Sequence, residues 1–171
     1  RPLMDLVTAD WPGLSVRRVV PPDHLRLLVG WTGSPASTSR LVDDVQSNKA
    51  GDADWTYAGF LDGSRSCVEA FVTALDHEDT EGITAAIRRN RELLHGLGEH
   101  TGTTIETPQL RRLIETAEAH GGAAKTSGAG GGDCGIVLIS EDARIDDLLA
   151  VWERADIRLL NLHEHQPDGE D

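Results

Sequence analysis

The chain has 171 residues, 39% of them hydrophobic and 26% charged, a composition for one soluble globular domain long enough to bury a real core. Sixteen Lys and Arg against 29 Asp and Glu leave a formal charge of −13, which argues against nucleic acid or an anionic membrane surface as partner, because both need a basic footprint. The longest apolar runs, such as Gly135 to Ile139, are far too short to span a bilayer, and two cysteines in unlike contexts, Cys67 and Cys134, suit a reduced cytoplasmic compartment.

In chain order, the start Arg1-Pro2-Leu3-Met4 does not read as a natural beginning and suggests a processed product or a piece of a longer protein. Ser15–Val20 and Leu25–Trp31 read as strands joined by the turn Pro21-Pro22-Asp23. Ser34 followed by Pro35 reads as an N-cap and first helical residue, with Leu41, Val42 and Val45 on one face of the helix that follows. Asp52 to Asp76 is expected to be largely helical from Val68, Phe71, Val72 and Leu75. Thr80 to His100 continues with Ile83, Ile87, Leu94 and Leu97 inside and Arg88, Arg89, Arg91 and Glu92 outside. The cleanest helix has Thr107 as cap, Pro108 as its first residue and Gly121 as its stop. Ala123 to Ser127 is extended, and Cys134–Ser140 is a strand. Ser140 reads as the cap of another helix, with Glu141 and Asp142 in its first turn and Leu148, Leu149 and Trp152 buried. Ile157–His165 reads as a last strand, and residues 167–171 as a disordered acidic tail behind a domain of residues 1–166. The order of elements predicts an α+β fold, an antiparallel sheet with helices on one face.

The stretch that asks for chemistry is "KTSGAGGGDCG", Lys125 to Gly135, in which five of eleven residues are glycine. A phosphate-binding P-loop ends in Gly-Lys-Ser/Thr and opens a helix; here the lysine precedes the glycines and a strand follows. A dinucleotide fingerprint on Gly130, Gly132 and Gly135 lacks its strand–turn–helix context. Two readings of a strand–loop–strand element stand side by side: an anion-binding concavity of main-chain N–H groups aided by Lys125 and Ser127, or a tight hairpin whose glycines permit close packing. Ser34, Ser37, Thr38 and Ser39 gather hydroxyls at a helix N-terminus beside Arg40, which suits either a phosphate or simple capping. His163 and His165 share a strand face but have no third ligand at metal spacing, so no metal site is expected.

"KTSGAGGGDCGIVLI" resembles the third conserved motif of the GHMP kinase superfamily, with Asp133 where mevalonate kinases usually carry glycine. "WPGLSVRRV", "LLVGWTGSPASTSRLV" and "IETPQLRRLIETAEAHGGAAKTSGAGGGDCGI" resemble its bacterial phosphomevalonate kinase branch in the same order, over nearly the whole chain. The superfamily's nucleotide loop, P-x-x-x-G-L-G-S-S-A, and its G-x-D-x-A segment with the catalytic Asp have no counterpart here. The resemblance therefore implies the ferredoxin-like C-terminal domain only, inactive without a missing N-terminal GHMP domain. It implies phosphoryl transfer from ATP, with Mg²⁺, to 5-phosphomevalonate in isoprenoid synthesis. It also implies that Gly128, Ala129, Gly130, Gly131 and Gly132 line the place where the substrates meet, with Ser127 and Ala129 nearest the substrate. Asp133 is expected to fix the loop by accepting backbone N–H bonds rather than to act in catalysis, and Lys125 either binds phosphate or is solvated. Cys134 is expected to be a small buried residue. The other class of function is a stand-alone ferredoxin-like module that binds a phosphorylated metabolite or a separate kinase subunit. A half-enzyme of this kind has apolar helical faces to cover, and a homodimer would be one way to do so.

Overall fold

The computed structural model describes residues 9, 11, 16–48, 55–128 and 130–162. Among them the chain forms β1 (Leu25–Trp31), α1 (Thr38–Asn48), α2 (Tyr57–Asp76), α3 (Thr80–Thr101), α4 (Pro108–Ala119), β2 (Ala123–Thr126), β3 (Cys134–Ser140), α5 (Ile145–Arg154) and β4 (Arg158–Leu160). The strands form one antiparallel sheet in the order β2-β3-β1-β4. The expected α+β class and antiparallel sheet are found. No helix among the described residues is long and apolar enough to cross a membrane.

Helix boundaries follow local chemistry. Asp79 accepts from Gly82 N to open α3, and Gly102 closes it in the left-handed conformation, φ 66°. Thr107 accepts from Leu110 N, and Pro108 needs no partner for an amide it lacks. Thr56 caps α2 by accepting from Gly59 N.

The helices, expected on one face of the sheet, divide between two. Leu28, Val137 and Ile139 point to one side and pack with Leu113, Ile114, Leu148 and Trp152 of α4 and α5. Leu25, Ala123 and Leu138 point to the other and pack with Ala74, Leu75, Ile83 and Ile87 of α2 and α3. Consecutive residues of a strand alternate faces, and Val137, Leu138 and Ile139 are all buried, so β3 has apolar cover on both sides. Complete burial of Leu113 or Trp152 contributes about 1.5–3 kcal/mol each.

Four boundaries differ from expectation. Residues 16–20 are not a strand: both edges of β1 are taken, by β3 and β4, and Val16, Val19 and Val20 are exposed. Ser15 lies outside the described residues. The helix expected from Ser34-Pro35 starts at Thr38 instead, because the Ser34 carbonyl accepts from Asp133 N at 2.6 Å and holds the chain beside the sheet. Ser140 does not cap α5. Its Oγ accepts from Asp142 N at 3.3 Å and its carbonyl from Ala143 N at 3.0 Å, a tight turn that delays the helix to Ile145. The acidic first turn is then Asp146 and Asp147. Strand β4 is three residues long, and His163, His165 and the tail of residues 167–171 lie outside the described residues, as does the Asp52–Asp54 start of the expected second helix.

Candidate functional site

The glycine loop joins β2 to β3 and is held from three sides. Ser127 N donates to Cys134 O at 2.9 Å, which closes its neck. Gly131 N donates to Ile105 O at 2.7 Å, from the connection between α3 and α4. On the third side Asp133 N donates to Ser34 O, while Asp133 O accepts from Thr32 N and from Thr32 Oγ1, both at 2.8 Å. Thr126 Oγ1 donates to Gly128 O at 3.2 Å within the turn.

Residues 130–133 all have positive φ: 83°, 78° and 130° at Gly130, Gly131 and Gly132, and 62° at Asp133. L side chains avoid that region, and Asp is among the few that tolerate it. Space is as limiting as conformation. A Cβ on Gly130 would stand 2.3 Å from Ile105 O, on Gly131 2.7 Å from Leu41 Cδ1, and on Gly132 2.8 Å from Ser34 O. What approaches these three glycines is the chain itself. Gly128 differs. Its φ is outside the positive region, it is exposed, and a Cβ there would meet nothing within 4 Å. Nothing within the described chain requires glycine at that position. Ala129 lies outside the described residues.

Thus the structure brings the two candidate groups together: the loop's Gly132 and Asp133 abut Ser34, and Leu41 of α1 covers Gly131. Ser34, Ser37, Thr38 and Ser39 are exposed, and the Ser37 and Ser39 hydroxyls lie 3.2 Å apart. Thr38 is the first residue of α1, a helix with no buried residue. The Lys125 ammonium donates to Thr126 O at 2.5 Å, and burial pushes it below the ordinary lysine range, against a weaker opposing influence from Cys67. Lys125 shares the sheet face of Ala123, the α3 side, at the base of the loop. Asp133 ties the loop through its main chain; the contact shown for its carboxylate is Cys134 Sγ at 3.7 Å. Cys134 is partly exposed, its thiol pushed up first by burial and then by Asp133.

Two further residues hold the loop, Ile105 by accepting from Gly131 N and Leu41 by packing on Gly131, and Glu106 follows Ile105 in the chain. The Glu106 side chain is 6% exposed and takes two hydrogen bonds from Arg91, Nε to Oε2 and Nη2 to Oε1, each 2.9 Å, and a third from Arg111 Nε at 3.4 Å. An acidic residue between two helical arginines is an ordinary surface pattern, and only its neighbour Ile105 gives it meaning here. The clefts at the N-terminus of α5 and between α2 and α3 lie away from this loop.

Comparison with known proteins finds relatives of this chain. The family profile "GHMP kinases C terminal" matches residues 71–157. The phosphomevalonate kinase of Streptomyces sp. (strain CL190) is 44% identical over 156 residues, which are 90% of this chain and 41% of that protein. The Lin0012 protein from Listeria innocua superposes with a TM-score of 0.83 at 33% identity, over 95% of this chain and 45% of its own. The phosphomevalonate kinase of Streptococcus pneumoniae, solved in complex with phosphomevalonate and AMPPNP, superposes at 0.76 with 36% identity, over 92% of this chain and 44% of its own. The chain therefore spans less than half the length of each of these relatives, and it belongs to the GHMP kinase family, as its C-terminal domain.

Proposed function

We propose that this chain is the acceptor-side half of a cytoplasmic phosphomevalonate kinase, which transfers the γ-phosphoryl of ATP to 5-phosphomevalonate and yields 5-diphosphomevalonate and ADP. The observation that carries the proposal is Gly128: an exposed glycine that the chain does not need for its own packing, beside exposed Ser127, in a loop whose Gly132 and Asp133 abut the first of four exposed hydroxyl residues. A side chain at 128 would obstruct only something from outside the described chain. The likeness to phosphomevalonate kinases over nine-tenths of the sequence supports reading that as the substrates.

In this reading the Gly128 amide faces the transferring phosphoryl, where a fixed N–H donor stabilises charge without reorganising; the Ser127 amide is held by Cys134 O and anchors it. Ser34, Ser37, Thr38 and Ser39, at the start of α1, hold the phosphate of the acceptor. Gly130, Gly131, Gly132 and Asp133 keep the loop in place, and Lys125 adds positive charge at its base. Among the described residues no group of three or more His, Cys, Asp or Glu side chains is placed to hold a metal, so no step through Mg²⁺ is assigned to this chain. The nucleotide loop and the catalytic carboxylate come from an N-terminal half, which also covers α1 in preference to a second copy of this chain.

Calorimetric titration of the chain with 5-phosphomevalonate and, in parallel, with mevalonate tests the reading. The phosphorylated ligand is expected to bind and the unphosphorylated one to bind at least about tenfold more weakly, a difference of about 1.4 kcal/mol. Equal affinity for the two would overturn the assignment of the hydroxyl segment to phosphate. In the full-length enzyme, absence of 5-phosphomevalonate-dependent ADP formation would overturn the activity.

A further inference from the structure

The glycine loop takes one of its three anchors from Ile105, and the carbonyl that supplies it belongs to the same planar peptide unit as the amide of Glu106. Any rotation of Glu106 about its backbone therefore tilts the acceptor on which Gly131 hangs. Glu106 is fixed as few surface carboxylates are. Arg91 of α3 holds both its oxygens in a fork, Arg111 of α4 holds one of them again, and the carboxylate is almost wholly buried. Burial alone would push its acidity down; the hydrogen bonds and charge of Arg91, then those of Arg111, outweigh this and keep it ionised below the usual glutamate range. The contact is tight on the other side also, since Gly130 passes so close to Ile105 O that no Cβ fits.

We propose that Arg91, Glu106 and Arg111 are positioning residues for the glycine loop: the ion triad between α3 and α4 sets the Ile105 carbonyl, and through it the direction in which the Gly128 amide faces. None of the three touches the proposed substrate. The inference rests on the reading of the loop as the substrate-facing element only for its catalytic consequence; the structural coupling stands apart from it.

Amide hydrogen exchange on this chain separates the two. In Glu106→Gln the bidentate ionic fork is lost with little change of shape, and Gly131 N–H is expected to exchange at least about tenfold faster, while amides of β1 and β3 change by less than about twofold. Asp76→Asn, which breaks a similar fork with Arg17 far from the loop, is the control and is expected to leave Gly131 unaltered. Arg111→Met removes only the longest of the three bonds and is expected to give a smaller acceleration in the same place. Unaltered Gly131 exchange in Glu106→Gln, or acceleration spread evenly over the sheet, would overturn the proposal; if Glu106→Gln does not fold, the Arg111→Met result decides by the same criterion. In the full-length enzyme, Glu106→Gln is expected to lower kcat with little change in KM for 5-phosphomevalonate. A wild-type enzyme inactive on that substrate would overturn the function while leaving the exchange result to judge the triad.

Discussion

Gly30 of β1 and Gly135 of β3 face each other across the sheet, and the hollow they leave together is filled by Leu113. A Cβ on Gly30 would stand 2.7 Å from Leu113 Cδ1 and 2.9 Å from Trp152 Cζ3; one on Gly135 would stand 2.7 Å from Leu113 Cδ2. Leu113 is completely buried and has no room to turn away. Gly135→Ala is therefore expected to cost about 1–3 kcal/mol, as overpacking does, and Leu113→Ala about 2–5 kcal/mol, as a core cavity does. The double variant should cost less than their sum by about 1 kcal/mol or more, because the new methyl enters the space that leucine vacates. Urea denaturation measures all three, and additive costs would show that the hollow is not shared.

Two glycines of one loop make opposite demands. Gly130→Ala puts a methyl against the Ile105 carbonyl, a main-chain atom that cannot swing aside, at φ 83°. It is expected to destabilise the chain by about 2 kcal/mol or more and to weaken ligand binding with it. Gly128→Ala meets open space in an ordinary conformation. Its stability should stay within about 0.5 kcal/mol of wild type, while kcat/KM of the full-length enzyme falls at least about tenfold, which is 1.4 kcal/mol of lost transition-state stabilisation. Thermal melts beside kinetics read both. Full activity in Gly128→Ala would mean that nothing approaches the loop there.

Both thiols are held in the protonated form. Cys67 is pushed up by burial, against the pull of Arg89 and Lys125, and its Sγ donates to Ala86 O at 3.1 Å. Cys134 is pushed up by burial and then by the charge and hydrogen bond of Asp133. Alkylation by iodoacetamide at pH 8, followed by mass spectrometry, should be slower at both than at a free cysteine, and slowest at Cys67, which is 6% exposed. Asp133→Asn should accelerate Cys134 severalfold without changing Cys67. Equal rates at the two thiols would contradict the burial difference.

The elements with strong local signals were readable in advance. Thr107, Pro108 and Gly121 bracket α4 as a cap, a first residue and a stop do anywhere, and the apolar run of β3 set both its ends. The failures at Ser15–Val20 and Ser34-Pro35 lie where a distant partner decides, and that at Ser140 where a local turn displaces the cap. Ser34-Pro35 has the composition of a helix start, but its carbonyl is claimed by Asp133, some hundred positions away. Ser15–Val20 has strand composition, but both edges of β1, the strand it precedes, are taken by β3 and β4. The division of helices between two faces was latent in Val137, Leu138 and Ile139, since a run without polar alternation marks a strand covered on both sides. Of the candidate site, the glycine run and the hydroxyl segment were visible and their meeting was not. Ile105 and Glu106 stand inside a stretch that resembles the family, but nothing in it marked a part in holding the loop, because a carbonyl acceptor has no sequence signature.

The half-buried Lys125 gives the chain a pH dependence of definite sign. Burial lowers its pKa in the folded state, whereas in the unfolded chain lysine titrates at about 10.4. Between those values the unfolded chain binds more protons, so this residue makes stability rise with pH; below the folded value its desolvation cost is fully present. Cys67 acts in the opposite sense. Its folded value is raised, so its contribution is present below the unfolded thiol range and is lost as pH rises through the folded value. The two effects overlap in alkaline solution and partly cancel, and the separation needs a background without the thiol. In Cys67→Ala, the further change Lys125→Met should be more favourable to stability at pH 7 than at pH 10, because only at pH 7 does it remove a desolvated ammonium. The hydrogen bond from Lys125 to Thr126 O is lost from the variant at either pH, so it shifts the whole curve and not its slope. Guanidinium unfolding at the two pH values measures the difference, and parallel pH curves for the two proteins would show that the ammonium is hydrated after all and free to meet a phosphate from solvent.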